Sequence, residues 1–272
     1  MQRFEIENCV MKIAALVSGG VDSSVALARL VQEGHTDITA YYLKIWLEDD
    51  LHYLGDCPWQ DDLQYVQAVC EQHGIPFKVV PLQAEYHERV VAFVIEELKA
   101  GRTPSPDIWC NQYIKFGEFF RAVGDEFDKV ATGHYAQVEE REDGFWLKRS
   151  PDPVKDQSYF LVRLDQYQLS RAMFPIGHLH KKEVRELAQT LNLANKARKD
   201  SQGICFLGKI PYREFVRFHL GEKDGPIIDI DTGKMLGRHQ GYWFYTIGQR
   251  QGLGLGGGPW YVISRNAAEN AV

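Results

Sequence analysis

Ser18-Gly19-Gly20-Val21-Asp22-Ser23-Ser24 is the stretch from which the fold follows. Before it runs Ile13-Ala14-Ala15-Leu16-Val17, an uninterrupted apolar segment that reads as a buried strand. After it, Val25-Ala26-Leu27-Ala28-Arg29-Leu30-Val31 reads as a helix packed on that strand. A strand, a tight Gly turn and a helix N-terminus aim unpaired backbone N–H groups and the positive end of the helix dipole at one spot. Phosphate is the natural guest there. Gly19-Gly20 lets the backbone approach a phosphate without Cβ collisions, and Ser18, Ser23 and Ser24 supply hydroxyls. Asp22 can hold a magnesium ion against the phosphates. No lysine stands inside the loop, so it is not of the G-x-x-x-x-G-K-S/T kind. The plainer reading of the same residues is a serine-capped helix after a Gly turn.

The pattern S-G-G-x-D-S-S resembles the pyrophosphate loop of ATP pyrophosphatases, which split ATP into AMP and pyrophosphate while adenylating an oxygen of their substrate. Outward from the loop the pattern alternates. Ile38 to Leu43 reads as a second strand, Leu51 to Gln60 as a loop, Asp61 to His73 as a helix and Pro76 to Val80 as a third strand. Ala84 to Lys99 is an amphipathic helix closed by Gly101. An irregular run, Arg102 to Asn111, leads into a helix ending near Gly124, and Lys129 to Thr132 is a short strand. Such alternation predicts an α/β fold, a parallel sheet wrapped by helices, with ligands at the carboxyl ends of the strands. Gln137 to Lys148 reads as a hairpin turning at Asp143-Gly144, and Lys181 to Leu191 as a basic amphipathic helix. Pro226 to Val262 is Gly-rich with short alternating strands. The expected division is a catalytic domain over 1–207 and a small β-rich domain over 208–272.

At 272 residues the chain has room for one α/β domain and a smaller partner. A net charge of -6 gives no overall pull toward nucleic acid, so RNA contact needs local basic patches. Five cysteines, with no C-x-x-C pair, suggest neither a disulfide scaffold nor a zinc ribbon and suit a reducing compartment, the cytoplasm. No signal peptide or membrane span is expected.

Cys110 lies at the start of a predicted helix, where the dipole favours a thiolate, and Asp107 stands three residues before it, within reach for proton exchange. A buried apolar cysteine with Asp107 as a helix cap fits the spacing equally. Cys205, between Ile204 and Phe206, reads as core or as a reachable thiol after a polar loop. Lys155-Asp156-Gln157 reads as solvated surface or as a base or phosphate contact. His134, after Gly133, reads as a ligand, a base or a structural histidine. Lys181, Lys182, Arg185, Lys196, Arg198 and Lys199 form the best candidate phosphate-backbone patch, although a charged helix face is usually only solvated.

Six stretches together resemble the tRNA-specific 2-thiouridylase family, also called MnmA or TrmU. They are S-G-G-V-D-S-S at 18–24, G-R-T-P-S-P-D-I-x-C-N at 101–111, A-T-G-H-Y-A at 131–136, K-D-Q-S-Y-F-L at 155–161, K-D-S-x-G-I-C-F at 199–206 and T-I-G-Q-R-x-G-L-G at 246–254. The resemblance implies that ATP adenylates the C2 oxygen of the wobble uridine of tRNA and that sulfur then displaces AMP. It implies a persulfide on Cys205, received from a sulfur-relay protein or cysteine desulfurase. Cys110 would be the second thiol, able to close a disulfide with Cys205, and Asp107 the acid/base beside the base. Ser18 to Ser24, Leu43 and Gly133 match ATP-binding positions; Ser105, Pro106, Asp107, His134, Lys155, Asp156 and Gln157 match tRNA contacts. ATP and Mg2+ are the implied cofactors. Ser105 replaces the family's frequent Asn, and Leu43 its frequent Met. Members continue past the segment at Pro259 to Val262 into a C-terminal β-barrel, which is not expected in a chain ending at Val272. The rival expectations are another pyrophosphate-loop synthetase or ligase, and a non-catalytic form that binds tRNA or a sulfur carrier.

Overall fold

A computed structural model describes residues 10–45, 59–123, 126–199 and 211–272. The first strand, β1 (Lys12–Leu16), feeds the loop and then helix α1 (Val21–Gln32). β2 (Asp37–Lys44), α2 (Trp59–His73) and β3 (Phe77–Pro81) follow. The helical segments Gln83–Tyr86, His87–Val91 and Ala92–Lys99 are consecutive and form α3, with its middle segment π-wound. Pro106–Trp109, the π-wound Cys110–Glu118 and Phe119–Val123 likewise form α4.

β4 (Lys129–Ala131) pairs in parallel with β1, so that Ile13 faces Lys129 and Ala15 faces Ala131. The hairpin β5 (Ala136–Arg141) and β6 (Gly144–Arg149) turns at the predicted place. Helix α5 (Gln166–Arg171) leads into β7 (Ala172–Met173), and α6 (Lys181–Thr190) follows. The main sheet has the order β3-β2-β1-β4-β7 and all its pairs are parallel.

Successive side chains of a strand point to opposite faces, and β1 shows the consequence. Ile13, Ala15 and Val17 pack with Val25 and Leu27 of α1, Val66 and Val69 of α2, and Val184 and Ala188 of α6. Ala14 and Leu16 pack on the other side with Tyr86, Val90 and Val94 of α3 and Ile114, Phe116 and Phe119 of α4. With both faces covered, the continuous apolar run is accounted for. The chain leaves β1 toward β2 on one side while β4 pairs on the other. The carboxyl ends of β1 and β4 therefore flank a topological switch point, the expected ligand crevice of an open α/β sheet.

The end of the chain departs from the reading of several short strands. Helix α7 (Tyr212–Leu220) opens it, and its Phe215 and Val216, fully buried, join the core cluster that contains Val94 and Leu98. One hairpin follows, β8 (Gly225–Ile228) with β9 (Met235–His239); residues 246–262 form no strand. Gly252, Gly254 and Gly257 adopt positive φ there, a conformation that interrupts a strand. The last residue still runs beside β8, where Val272 N–H donates to Pro226 O at 3.1 Å and Ile228 N–H to Val272 O at 2.8 Å. Arg265 Nη2 donates to Thr103 Oγ1 at 2.9 Å and ties this part to the sheet domain.

Candidate active site at the loop after the first strand

The loop is held from behind. Gly19 has φ +74°, a left-handed conformation that glycine takes without strain, and its carbonyl accepts from Asn195 Nδ2 at 2.7 Å and Arg198 Nη1 at 3.0 Å. Arg198 also pairs with Asp62 of α2. Burial pushes the Asp62 carboxyl up, and Arg198 opposes that shift. Asn195 is fully buried and gives a second bond to Ser24 Oγ at 2.8 Å. Ser24 in turn donates to Gly20 O at 3.0 Å. Ser23 donates to the same carbonyl at 3.1 Å, but Ser24, expected to offer its hydroxyl to a phosphate, is buried and does not line the cleft, so it is a brace for the loop's own backbone. Ser18 and Ser23 stand at the cleft, their hydroxyls 3.3 Å apart, and Ser23 accepts from Ser18 N–H at 3.2 Å.

Asp22 lies in the first turn of α1 and lines the cleft. Its Oδ1 accepts from Tyr135 Oη at 2.9 Å and from Lys181 Nζ at 2.6 Å. Lys181 is the first residue of α6, placed by two carboxylates. His180 N–H donates to Glu183 Oε2 at 2.6 Å, and Lys181 N–H donates to Asp152 Oδ2 at 2.9 Å. That bond from Lys181, with those from Val154 and Lys155, holds the Asp152 carboxyl below its ordinary range. One buried aspartate thereby fixes both the start of α6 and the 152–157 loop.

The basic cluster predicted to face RNA is largely committed to the site instead. Lys181 serves Asp22, Arg198 serves Asp62 and Gly19, and Arg185 Nη1 donates to the Arg198 carbonyl at 2.6 Å. Lys182 stays on the surface beside Glu186.

A cleft of about 440 Å3 gathers most of the predicted residues. Ser18, Gly20, Val21, Asp22 and Ser23 line one end, Leu43 and Gly133 belong to the strand ends, and Asp107, Cys110, His134, Lys155 and Gln157 also face it. Gly133 crosses the loop so closely that a Cβ there would lie 2.7 Å from Ser23 N. Ser105, Pro106 and Asp156 do not line the cleft. Asp156 binds Arg149 Nε at 2.8 Å and both the N–H and hydroxyl of Ser158. Partial burial works against its charged form, but these bonds outweigh it and leave the carboxyl below its usual range. Gln157 Oε1 accepts Tyr135 N–H at 3.0 Å.

Cys110 is not at the start of its helix. Pro106 opens α4, as its fixed φ suits, with Ser105 at the capping position and Asp107 in the first turn. Cys110 sits one turn further in, 2% exposed and on the same face as Asp107, so the dipole argument for a thiolate loses most of its force. Cys205 and the rest of the 200–206 stretch lie outside the described residues, and with them the expected pairing with Cys110. His134 is buried, with Nδ1 2.7 Å from Thr132 Oγ1. Burial, with Lys115 nearby, pushes its pKa well below 6.5, so the ring is neutral near pH 7.

Lys115, Asn111, Thr132 and Lys199 also line the cleft, and sequence reasoning missed the first three. Asn111 Nδ2 donates to Phe160 O at 3.0 Å while its buried Oδ1 has no protein partner. Their signal was adjacency to the motifs, Asn111 and Lys115 following Cys110 on α4 and Thr132 preceding Gly133. Among the described residues no group of three His, Cys, Asp or Glu side chains forms a ready metal site. One carboxylate at the loop, Asp22, suits a magnesium ion that arrives on phosphates and keeps most of its other ligands.

A parallel sheet with this loop at its switch point defines a HUP-domain protein, and the family model described as "tRNA methyl transferase HUP domain" matches residues 11–209. A second, "tRNA methyl transferase PRC-barrel domain", matches 213–272. The chain is 50% identical over 262 residues to the tRNA-specific 2-thiouridylase MnmA of Parabacteroides distasonis, covering 96% of this chain and 73% of that protein. It is 51% identical, over the same shares, to MnmA 1 of Bacteroides thetaiotaomicron. The chain belongs to the tRNA-specific 2-thiouridylase family. Among solved structures, NMN synthetase from Francisella tularensis aligns over 79% of both chains with 16% identity and a TM-score of 0.43.

Proposed function

We propose that this chain carries out ATP-dependent 2-thiolation of the wobble uridine of tRNA. The observation that supports it is one cleft holding the loop after β1 together with Asp107 and Cys110. ATP would lie with its phosphates on Ser18, Gly20 and Ser23, and its nucleoside toward Leu43 and Gly133. Asp22 would hold the magnesium ion, which withdraws charge from the phosphates. The C2 oxygen of uridine attacks the α-phosphorus, the bond to the β-phosphate oxygen breaks, and pyrophosphate leaves. Sulfur then adds at C2, and AMP departs with the former C2 oxygen.

In this reading Cys205 carries the sulfur as a persulfide delivered by a relay protein or cysteine desulfurase, and Cys110 frees it by taking the disulfide. Asp107, in the first turn of α4 and on the Cys110 face, exchanges the uridine N3 proton. Lys155, Lys115 and Lys199 line the same cleft and would be its phosphate contacts for RNA in a chain of net charge -6. His134, buried and neutral, orders the strand end behind the base rather than neutralising phosphate. A methyl transfer, suggested by the wording of the two domain models, has no use for a pyrophosphate loop.

The test is thiolation of an unmodified tRNA with ATP, magnesium, a cysteine desulfurase with cysteine as persulfide source and a thiol reductant that reopens the disulfide, read by retardation in a mercury gel. A retarded band that Cys110→Ala abolishes supports the proposal. ATP-dependent product formation that ignores both Cys110→Ala and Cys205→Ala would favour another adenylating ligase.

A further inference from the structure

The loop contains no lysine, yet a lysine 159 residues away reaches its aspartate: Lys181 Nζ lies 2.6 Å from Asp22 Oδ1. The Lys181 side chain is only 14% exposed and the Asp22 side chain 32%. Its ammonium also stands 5.8 Å from the centre of the Tyr135 ring, whose hydroxyl donates to the same Asp22 oxygen. Both polar groups therefore meet one carboxylate oxygen, and Tyr135 shares the cleft wall with Asp22. Lys181 itself does not line the cleft.

An aspartate facing the phosphates of a nucleotide is a mixed asset. Without a metal, its charge repels them across a few ångströms of partly desolvated space. With a magnesium ion, the same charge becomes a ligand. We infer that Lys181 is a positioning and charge-compensating residue for Asp22: it cancels the carboxylate while no metal is present and orients it for the metal brought by the nucleotide. The inference rests on the nucleotide reading of the loop, not on thiolation.

The decisive experiment titrates ATP by calorimetry into the whole chain, with magnesium and with chelator, for the unaltered chain, Lys181→Met, Asp22→Asn and the double variant. In chelator, Lys181→Met should bind ATP roughly 10-fold more weakly, because a bare carboxylate now faces the phosphates. The magnesium concentration at half-maximal ATP binding should move in the opposite direction, to lower values, because the site is more negative. Adding Asp22→Asn to Lys181→Met should restore metal-free binding to near the unaltered level. Local misfolding cannot produce these opposite shifts, nor a restoration by a second substitution. Equal weakening with and without magnesium, a magnesium midpoint that stays or rises, or losses that add in the double variant would overturn the inference. Loss of all ATP binding in the unaltered chain would overturn the loop reading as well, whereas failed thiolation with these shifts intact would touch only the proposed function.

Discussion

Gly20 and Gly133 sit on the two sides of the same loop, and the structure predicts opposite outcomes when each becomes alanine. A Cβ on Gly133 would meet Ser23 N at 2.7 Å, Asp22 C at 2.8 Å and Ser23 Cα at 2.9 Å, all backbone atoms without rotamers to yield. The end of β4 or the start of α1 must then shift, at a cost of about 1–3 kcal/mol for an overpacked site. For a chain of this size that lowers Tm by roughly 2–4 °C per kcal/mol. A Cβ on Gly20 meets nothing nearer than Ser18 Oγ at 3.5 Å, and the residue's φ of -75° suits any amino acid. The gain from a stiffer unfolded chain, about 0.4–1 kcal/mol, offsets the weaker helix cap, and Tm should hardly move. The new methyl group, however, occupies the surface on which phosphate rests, so Gly20→Ala should lose ATP affinity by more than tenfold. Thermal unfolding paired with ATP titration separates the two effects. If Gly20→Ala binds ATP like the unaltered chain, or unfolds as early as Gly133→Ala, the reasoning that a side chain at Gly20 obstructs only ligand while one at Gly133 also breaks packing is refuted.

Asn195→Ala removes two buried donors from the loop and should cost about 1–3 kcal/mol in urea unfolding; a change below ~0.5 kcal/mol would mean that Arg198 alone holds Gly19 O. His134 stays neutral in the fold while the unfolded chain takes up a proton below pH 6.5, so the unfolded state binds more protons there. Stability should therefore fall as pH drops below about 6.5, and His134→Gln should flatten that part of the profile; an unchanged slope would show that other groups carry it. Asp107→Asn should reduce thiolation while leaving ATP binding within twofold, and a parallel loss of both would place Asp107 with the nucleotide instead. Lys182→Glu should weaken tRNA binding more at low salt than at high, and salt-independent binding would remove that exposed lysine from the RNA path.

Much of the site was legible because its parts are local. Seven consecutive residues state a strand end, a Gly turn and a helix start, and the spacing of three between Asp107 and Cys110 put those two side chains within reach of each other. What misled was also local reasoning: the Pro-rich run before Cys110 was read as irregular, although Pro106 begins the helix and moves Cys110 a turn inward. The π-winding from Cys110 to Glu118 leaves no mark on apolar spacing. Helix α7 did have a signal, Phe215, Val216 and His219 between Pro211 and Gly221, which the Gly-rich run beyond it overshadowed.

By itself, then, the sequence determined the α/β class, the loop and the company of motifs around it, because short-range sterics, period-two burial and dipole geometry act within a few residues of one another. The tertiary structure decided which charges those motifs meet. Lys181 and Arg198 read as an RNA-facing patch until folding across the switch point set one against Asp22 and the other against Gly19 and Asp62. His134 read as a ligand, a base or a structural histidine, and the fold buries it against Thr132 and Phe174 while keeping it on the cleft wall. Electrostatic partners are chosen by distance in space, and distance in space between residues 22 and 181 exists only once the sheet has formed.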